Sequence, residues 1–119
     1  MQKEKVELQK RVYSYALSIV KFVKSLPNSY EYRTLGNQLL RSGTSVSANV
    51  IEAYAASSKK DFINFYHHAL KSVNESKLWL ALIRDTNDNR KVQAKELILE
   101  TVEIGKILGA SLITMKRKR

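Results

Sequence analysis

Cysteine is absent from the chain. That excludes a disulfide framework, a thiolate zinc site and a cysteine nucleophile together. Proline occurs once and glycine four times in 119 residues, too few breakers for a loop-rich or disordered fold. No apolar run approaches the ~20 residues that span a bilayer. Met1-Gln2-Lys3-Glu4-Lys5 opens with interspersed charge instead of the uninterrupted apolar core of a signal peptide. A cytoplasmic protein with no membrane association is the expectation.

Reactive chemistry is equally sparse. His67 and His68 are adjacent, so on a helix they point ~100° apart and cannot share a metal as an i, i+4 pair can. Gly36, Gly43, Gly105 and Gly109 are isolated within helical pattern, which leaves no phosphate-cradling loop. Helical di-iron centres need Glu-x-x-His pairs, and none occurs. The serines lack a base at triad-like positions. A non-enzymatic protein without metal or cofactor is expected.

What the chain does hold is apolar content, 44% of residues, arranged at three- and four-residue steps. One domain, residues 1–119, is predicted to fold all-α, as an antiparallel up-down four-helix bundle. Its helices should cover about residues 3–26, 33–56, 59–85 and 91–115. Pro27-Asn28-Ser29 breaks the first from the second, because proline cannot donate to the ladder and biases its predecessor away from helix. Ser58 with Asp61 three residues on, followed by Phe62, forms a variant capping box opening the third. Asp85-Thr86-Asn87-Asp88-Asn89-Arg90 is a polar turn before the fourth.

Core stripes follow from the spacing. In the first helix Val12, Ala16, Ile19, Val23 and Leu26 form one, widened by Val6, Tyr13, Leu17 and Val20. Leu35, Leu39, Ser42, Val46, Val50 and Ala53 form that of the second. Phe62, Phe65, Ala69, Ser72, Ser76, Trp79 and Ile83 mark the third, and Leu97, Thr101, Ile104, Leu108, Ser111 and Met115 the fourth. Leu8, Tyr15, Phe22 and Tyr54 fall off these stripes and, together with Trp79 of the third, are assigned to a subunit or partner surface. Gly36 and Gly43 each cost about 1 kcal/mol inside a helix, which suggests a closely approaching neighbour.

A second line on helix two is polar: Gln38, Arg41, Ser45, Asn49 and Glu52. Five matches in one register point to a partly buried hydrogen-bonding stripe facing Ser72 and Glu75 of helix three, with Arg41 and Glu75 as an inter-helix ion pair. Buried pairs of that kind set register more than they add stability.

The pattern Gln38-x-x-Arg41-Ser42-x-x-Ser45-Val46-x-x-Asn49-Val50-x-Glu52, then Phe62, Phe65 and Ala69-x-x-Ser72-x-x-Glu75, resembles the four-helix-bundle family of 23S rRNA intervening-sequence proteins, which is bacterial. The resemblance implies a small bundle assembling into a homo-oligomeric ring, usually a homopentamer. It also links the chain to the accessory proteins of diversity-generating retroelements, which bind a reverse transcriptase and nucleic acid. The chain departs from the family pattern at Ile51 and Ala53, where alanine and glycine flank the glutamate, and at Lys71, where glycine is common. Each departure adds bulk at a close-approach position.

Charge supplies the functional clue. Twenty-one Lys and Arg against eleven Asp and Glu give +10. Residues 1–27 and 86–119 carry +4 each, residues 59–85 carry +2, and residues 28–58 are neutral. The excess therefore falls on the first and last helices. Lys10, Arg11, Lys21, Lys24, Arg90, Lys91, Lys95 and the tail Lys116, Arg117, Lys118 and Arg119 are the candidate phosphate contacts, to RNA or DNA. With no recognition helix rich in Asn, Gln and Arg, binding should follow backbone charge or shape. The alternative is a structural adaptor that docks a protein partner such as a reverse transcriptase.

Overall fold

The computed structural model describes residues 2–118. Four helices follow one another: α1 (Gln2–Lys24), α2 (Tyr30–Tyr54), α3 (Lys59–Thr86) and α4 (Lys91–Arg117), with a single 3-10 turn at Asp88–Arg90 before α4. No strand occurs among the described residues. The connections are too short for anything but reversals, so neighbouring helices run antiparallel in a rod of 49 × 21 × 20 Å. Among the described residues no helix is long and apolar enough to cross a membrane.

The helix ends come from identifiable chemistry. α1 stops at Lys24, earlier than the spacing suggests: Ser25 and Leu26 donate back to Phe22 and Val23 carbonyls, a tightened turn leading into Pro27. Ser29 then sits extended and accepts from the Tyr32 amide at 3.3 Å, which starts α2 at Tyr30, three residues before the expected start. Ser58 caps α3 by accepting from the Asp61 amide at 3.1 Å, as the capping-box spacing implies. At the far end the Thr86 hydroxyl donates to the Leu82 carbonyl, so its oxygen accepts from the Tyr32 phenol at 2.8 Å. That bond ties the start of α2 to the end of α3, while Tyr30 stands in solvent.

The expected stripe of α1 holds at Val12 and Ile19, which are fully buried, and at Val23 and Leu26, which pack against the core, but different residues widen it. Leu8, Val12, Tyr15, Ile19 and Phe22 are buried, whereas Val6, Tyr13 and Leu17 are exposed. Leu8, Tyr15 and Phe22 are therefore core, not a subunit surface. The cause is asymmetric spacing around α1. Towards α2 the backbones come close: a Cβ on Gly43 would stand 2.9 Å from Ile19 Cγ2, and one on Gly36 3.3 Å from both Leu26 and Val23. The seam between α1 and α4 is wider, and large side chains, Tyr15 and Phe22, turn into it. Of the departures from the family pattern, Ile51 and Lys71 are exposed and Ala53 is buried in the core.

These two kinds of glycine generate a paired expectation. Gly43→Ala gains about 1 kcal/mol of helix propensity but drives a methyl into the stiff, fully buried, β-branched Ile19. Overpacking of that sort costs about 1–3 kcal/mol, so thermal unfolding should show net destabilisation. Gly109→Ala meets no atom within 4 Å and should stabilise by up to about 1 kcal/mol.

Candidate functional site

Three polar features stand out on this frame: a buried layer of hydroxyls, a groove on the α2–α3 side, and an uneven distribution of charge.

The layer takes one hydroxyl from each helix. Tyr15 (α1), Ser42 (α2), Ser76 (α3) and Thr101 (α4) are 2%, 4%, 0% and 1% exposed. Thr101 donates to the Leu97 carbonyl at 2.6 Å, which uses its only proton. Tyr15 must then be the donor in the 2.6 Å bond joining it to Thr101. Ser76 donates to Ser42 at 2.8 Å. Burial holds the Tyr15 phenol above the ordinary tyrosine range, against the opposing pull of the Thr101 and Ser76 hydroxyls beside it. The layer therefore holds two bonded pairs, Tyr15 with Thr101 across α1 and α4 and Ser76 with Ser42 across α3 and α2. A little further along, Ser47 donates to the Val12 carbonyl at 2.6 Å, locking α2 to α1.

The polar line of α2 runs along the outer α2–α3 groove, where Ser45, Asn49, Phe65, His68, Lys71, Ser72 and Glu75 line a cleft of about 460 Å³. Ser72 donates to the Ser45 hydroxyl at 3.1 Å, and the Asn49 amide donates to Ser45 through both carbonyl (2.8 Å) and hydroxyl (3.0 Å). This half-buried centre matches the expected stripe. Its ends do not. Arg41, Glu52 and Glu75 are exposed, Gln38 is half-buried, and among the described residues no ion pair links Arg41 to Glu75. The expected ion pair is absent because the two charges reach water from the groove rim, and burying them would cost more than their attraction returns. Trp79, assigned to a surface, is half-buried, and its indole N–H is enclosed without a protein acceptor. Tyr54, also assigned there, packs edge-on against Phe62 and bonds the Tyr66 phenol at 3.0 Å.

The basic residues separate into groups with different neighbours. Arg11 is held by Glu100 in a two-pronged bond of 2.8 and 2.7 Å across the α1–α4 seam, and that bond raises its pKa further. Arg90 donates twice to the Ser25 carbonyl and so fastens the end of α1 to the start of α4. These two cations join helices. Lys10, Lys21 and Lys24 are exposed on α1. They do not form one basic sheet with α4, because Glu96, Glu100 and Glu103 follow at helical spacing on its α1 side; Glu96 and Glu100 line the seam cleft beside Lys21.

The other group gathers where the α2–α3 turn meets the end of α4. Lys59, Lys60 and Lys116 line a cleft of about 600 Å³ with Ile63, Asn64 and Met115. Lys59 donates to the Lys118 carbonyl at 2.9 Å, which suits the partial negative charge of a helix carboxy terminus. Arg117 and Lys118 are exposed beside it; Arg119 lies outside the described residues. At the opposite end Lys91 and Lys95 stand near Asp85, whose carboxyl falls below its usual range mainly through the bond from Arg84, with these lysines adding to the effect. Lys59 and Lys60 carry no motif. Only the turn chemistry that brings the α2–α3 connection beside the tail could have marked them.

Comparison with known proteins completes the description. The family described as 23S rRNA-intervening sequence protein matches residues 4–110. The chain belongs to that family. One similar solved structure is a protein of unknown function from the S23 ribosomal protein family of Bacteroides thetaiotaomicron. It is 34% identical, with 91% of this chain and 96% of that chain covered and a TM-score of 0.83. No curated protein matches the chain. In this 23S rRNA-intervening sequence protein, the family pattern on α2 and α3 falls partly on the hydroxyl layer, through Ser42, and partly on the outer groove, through Ser45, Asn49 and Ser72.

The layer makes a measurable non-additivity. Thr101→Val alone strands the buried Tyr15 hydroxyl and should cost about 1–3 kcal/mol, whereas Tyr15→Phe together with Thr101→Val removes both partners and should cost less than the sum of the single changes. A double-mutant cycle by urea unfolding reads the coupling. The phenols also set an alkaline limit. Burial raises Tyr15, and burial with the Tyr54 bond raises Tyr66, above the unfolded value of 10.0. Their neutral forms stabilise the fold fully below pH 10.0, and that contribution falls as pH rises beyond it. Unfolding midpoints should therefore drop as pH rises above 10.0, less so in Tyr15→Phe.

Proposed function

We propose that this chain is a non-enzymatic, cytoplasmic nucleic-acid-binding protein that self-assembles into a ring, five-membered by its family resemblance. It holds RNA or DNA by the phosphate backbone, without reading bases. The observation that carries this is the group of cations at the α2–α3 turn and α4 tail. Lys59, Lys60, Lys116, Arg117 and Lys118 cluster there, and none of them lies within ion-pair distance of a carboxylate among the described residues. Surface charges left unneutralised and close together produce a potential that draws polyanions and releases their counterions on binding. Lys91 and Lys95 add a second, smaller group at the other end of α4.

The adaptor reading, in which a protein such as a reverse transcriptase docks on the bundle, draws on the exposed apolar residues Val6, Tyr13 and Leu17 of α1. A ring of identical chains covers those residues equally well, so self-assembly takes precedence over a foreign partner.

Charge reversal locates the contacts. Lys59→Glu with Lys116→Glu should weaken binding to a labelled RNA at least tenfold at ~0.15 M salt, where interactions beyond ~8 Å are screened. Arg41→Glu with Lys71→Glu, at exposed positions outside the candidate contacts, makes the same change in net charge and should weaken it far less. Equal losses in anisotropy titrations would mean that net charge, not this cluster, carries the affinity.

A further inference from the structure

The helices leave a hollow at the end of the bundle where α1 begins and α4 ends. It measures about 660 Å³, within the ~300–1,000 Å³ of small-molecule sites. Tyr54, Phe62, Tyr66 and Met115 supply its apolar wall. Lys5 lies over the Tyr54 ring, 5.3 Å from its centre. The Tyr54 and Tyr66 phenols bond each other at 3.0 Å. Whichever of them accepts keeps its own proton, so the pair has one O–H left to donate, and no second partner takes it among the described residues. The hollow also runs into the cation group. Met115 lines it together with two neighbouring clefts, one reaching Lys59 and the other Lys59, Lys60 and Lys116. Among the described residues lining all three, Glu4 is the one carboxylate against these lysines and Lys5. With Asp61 of the first turn of α3 counted as well, the cations still outnumber the acids. Met115 and Lys116 lie beyond residue 110, outside the span of the family match.

We infer that this hollow receives an unpaired nucleobase of the strand whose phosphates the neighbouring lysines hold. The inference rests on the phosphate-binding part of the proposed function and names the form of nucleic acid it takes. An aromatic and thioether wall gives a flat ring a surface to stack on. The remaining phenol proton meets a ring nitrogen or carbonyl oxygen, an acceptor that every base carries. The negative charge of the backbone on either side of the base then falls to Lys59, Lys60 and Lys116, which border the same hollow. An apolar small molecule would use the wall but not the cations, and a polyanion without bases would use the cations but not the wall. A strand with unpaired bases uses both. Stacking accepts any base, which agrees with binding that does not read sequence. A base held in a duplex is stacked and paired already, so single strands, loops and ends are preferred over continuous duplex.

Two labelled probes of equal length separate the wall from the cations: a single-stranded DNA oligomer, and the same deoxyribose-phosphate chain without bases. In anisotropy titrations the wild-type protein should hold the base-bearing strand about tenfold more tightly, a difference of the size that stacking gives. Ala110 and Thr114 are exposed and line the hollow. Ala110→Leu with Thr114→Leu fills it from the rim, and should remove the preference while binding the abasic chain as the wild type does. Phe62→Leu keeps apolar bulk but loses the flat face, and should act in the same way. Lys59→Glu with Lys116→Glu should weaken both probes together. Far-ultraviolet circular dichroism confirms that each variant remains helical. Failure of the wild type to bind either probe would overturn the phosphate-binding reading itself. Equal affinity for the two probes, or a preference that survives both the filled hollow and Phe62→Leu, would overturn the base site and leave phosphate binding standing.

Discussion

Four hydroxyls set the register of this bundle. Apolar side chains can pack at several offsets with little difference in energy, but the Tyr15, Ser42, Ser76 and Thr101 hydroxyls find partners at only one. Sliding a helix by a turn would leave buried polar groups unpaired, each at a cost of about 1–3 kcal/mol. That penalty is a large fraction of the few kcal/mol by which a domain this size is stable. Everything on the outside depends on it. The outer groove of Ser45, Asn49 and Ser72, the Arg11 bond to Glu100, and the meeting of the α2–α3 turn with the α4 tail all require the same register.

Charge is organised by that register as well. The +10 balance is not smeared evenly. Arg11 and Arg90 are drawn into the α1–α4 seam, where acidic residues line α4, and there they join helices. Lys59, Lys60, Lys116, Arg117 and Lys118 gather where chain reversal brings residues about sixty positions apart together, as Lys59 and Lys118 are. In the proposed function, the tail of α4 with the α2–α3 turn is the part that meets polyanions.

Much of this was legible from sequence, and the failures share a cause. Helix number, the capping by Ser58, and the close approach at Gly43 follow from local chemistry and spacing, so they could be read without coordinates. Which residues widen the α1 stripe around Val12 and Ile19 could not be read that way. Val6, Tyr13, Leu17 and Val20 are as apolar as Leu8, Tyr15 and Phe22, and periodicity alone does not say which row turns inward. The wide α1–α4 seam decides it, and its width depends on the other helices. The groove residues Ser45, Asn49 and Ser72 were readable as a polar line, yet Arg41 and Glu75 were not readable as exposed, because a line on a helix does not reveal how far its rim stands from the neighbouring backbone. Lys59 and Lys60 became notable only once the turn was placed beside the tail.

The central functional claim is that unpaired surface cations hold nucleic-acid phosphates. Its most direct test is the affinity of the wild-type protein for a structured RNA and a DNA duplex, measured across a salt series. The account predicts that the logarithm of affinity falls steeply and linearly with the logarithm of salt, by ~0.7 to ~0.9 per phosphate contacted, with a slope corresponding to several contacts. A flat dependence, or no binding even at low salt, would contradict it.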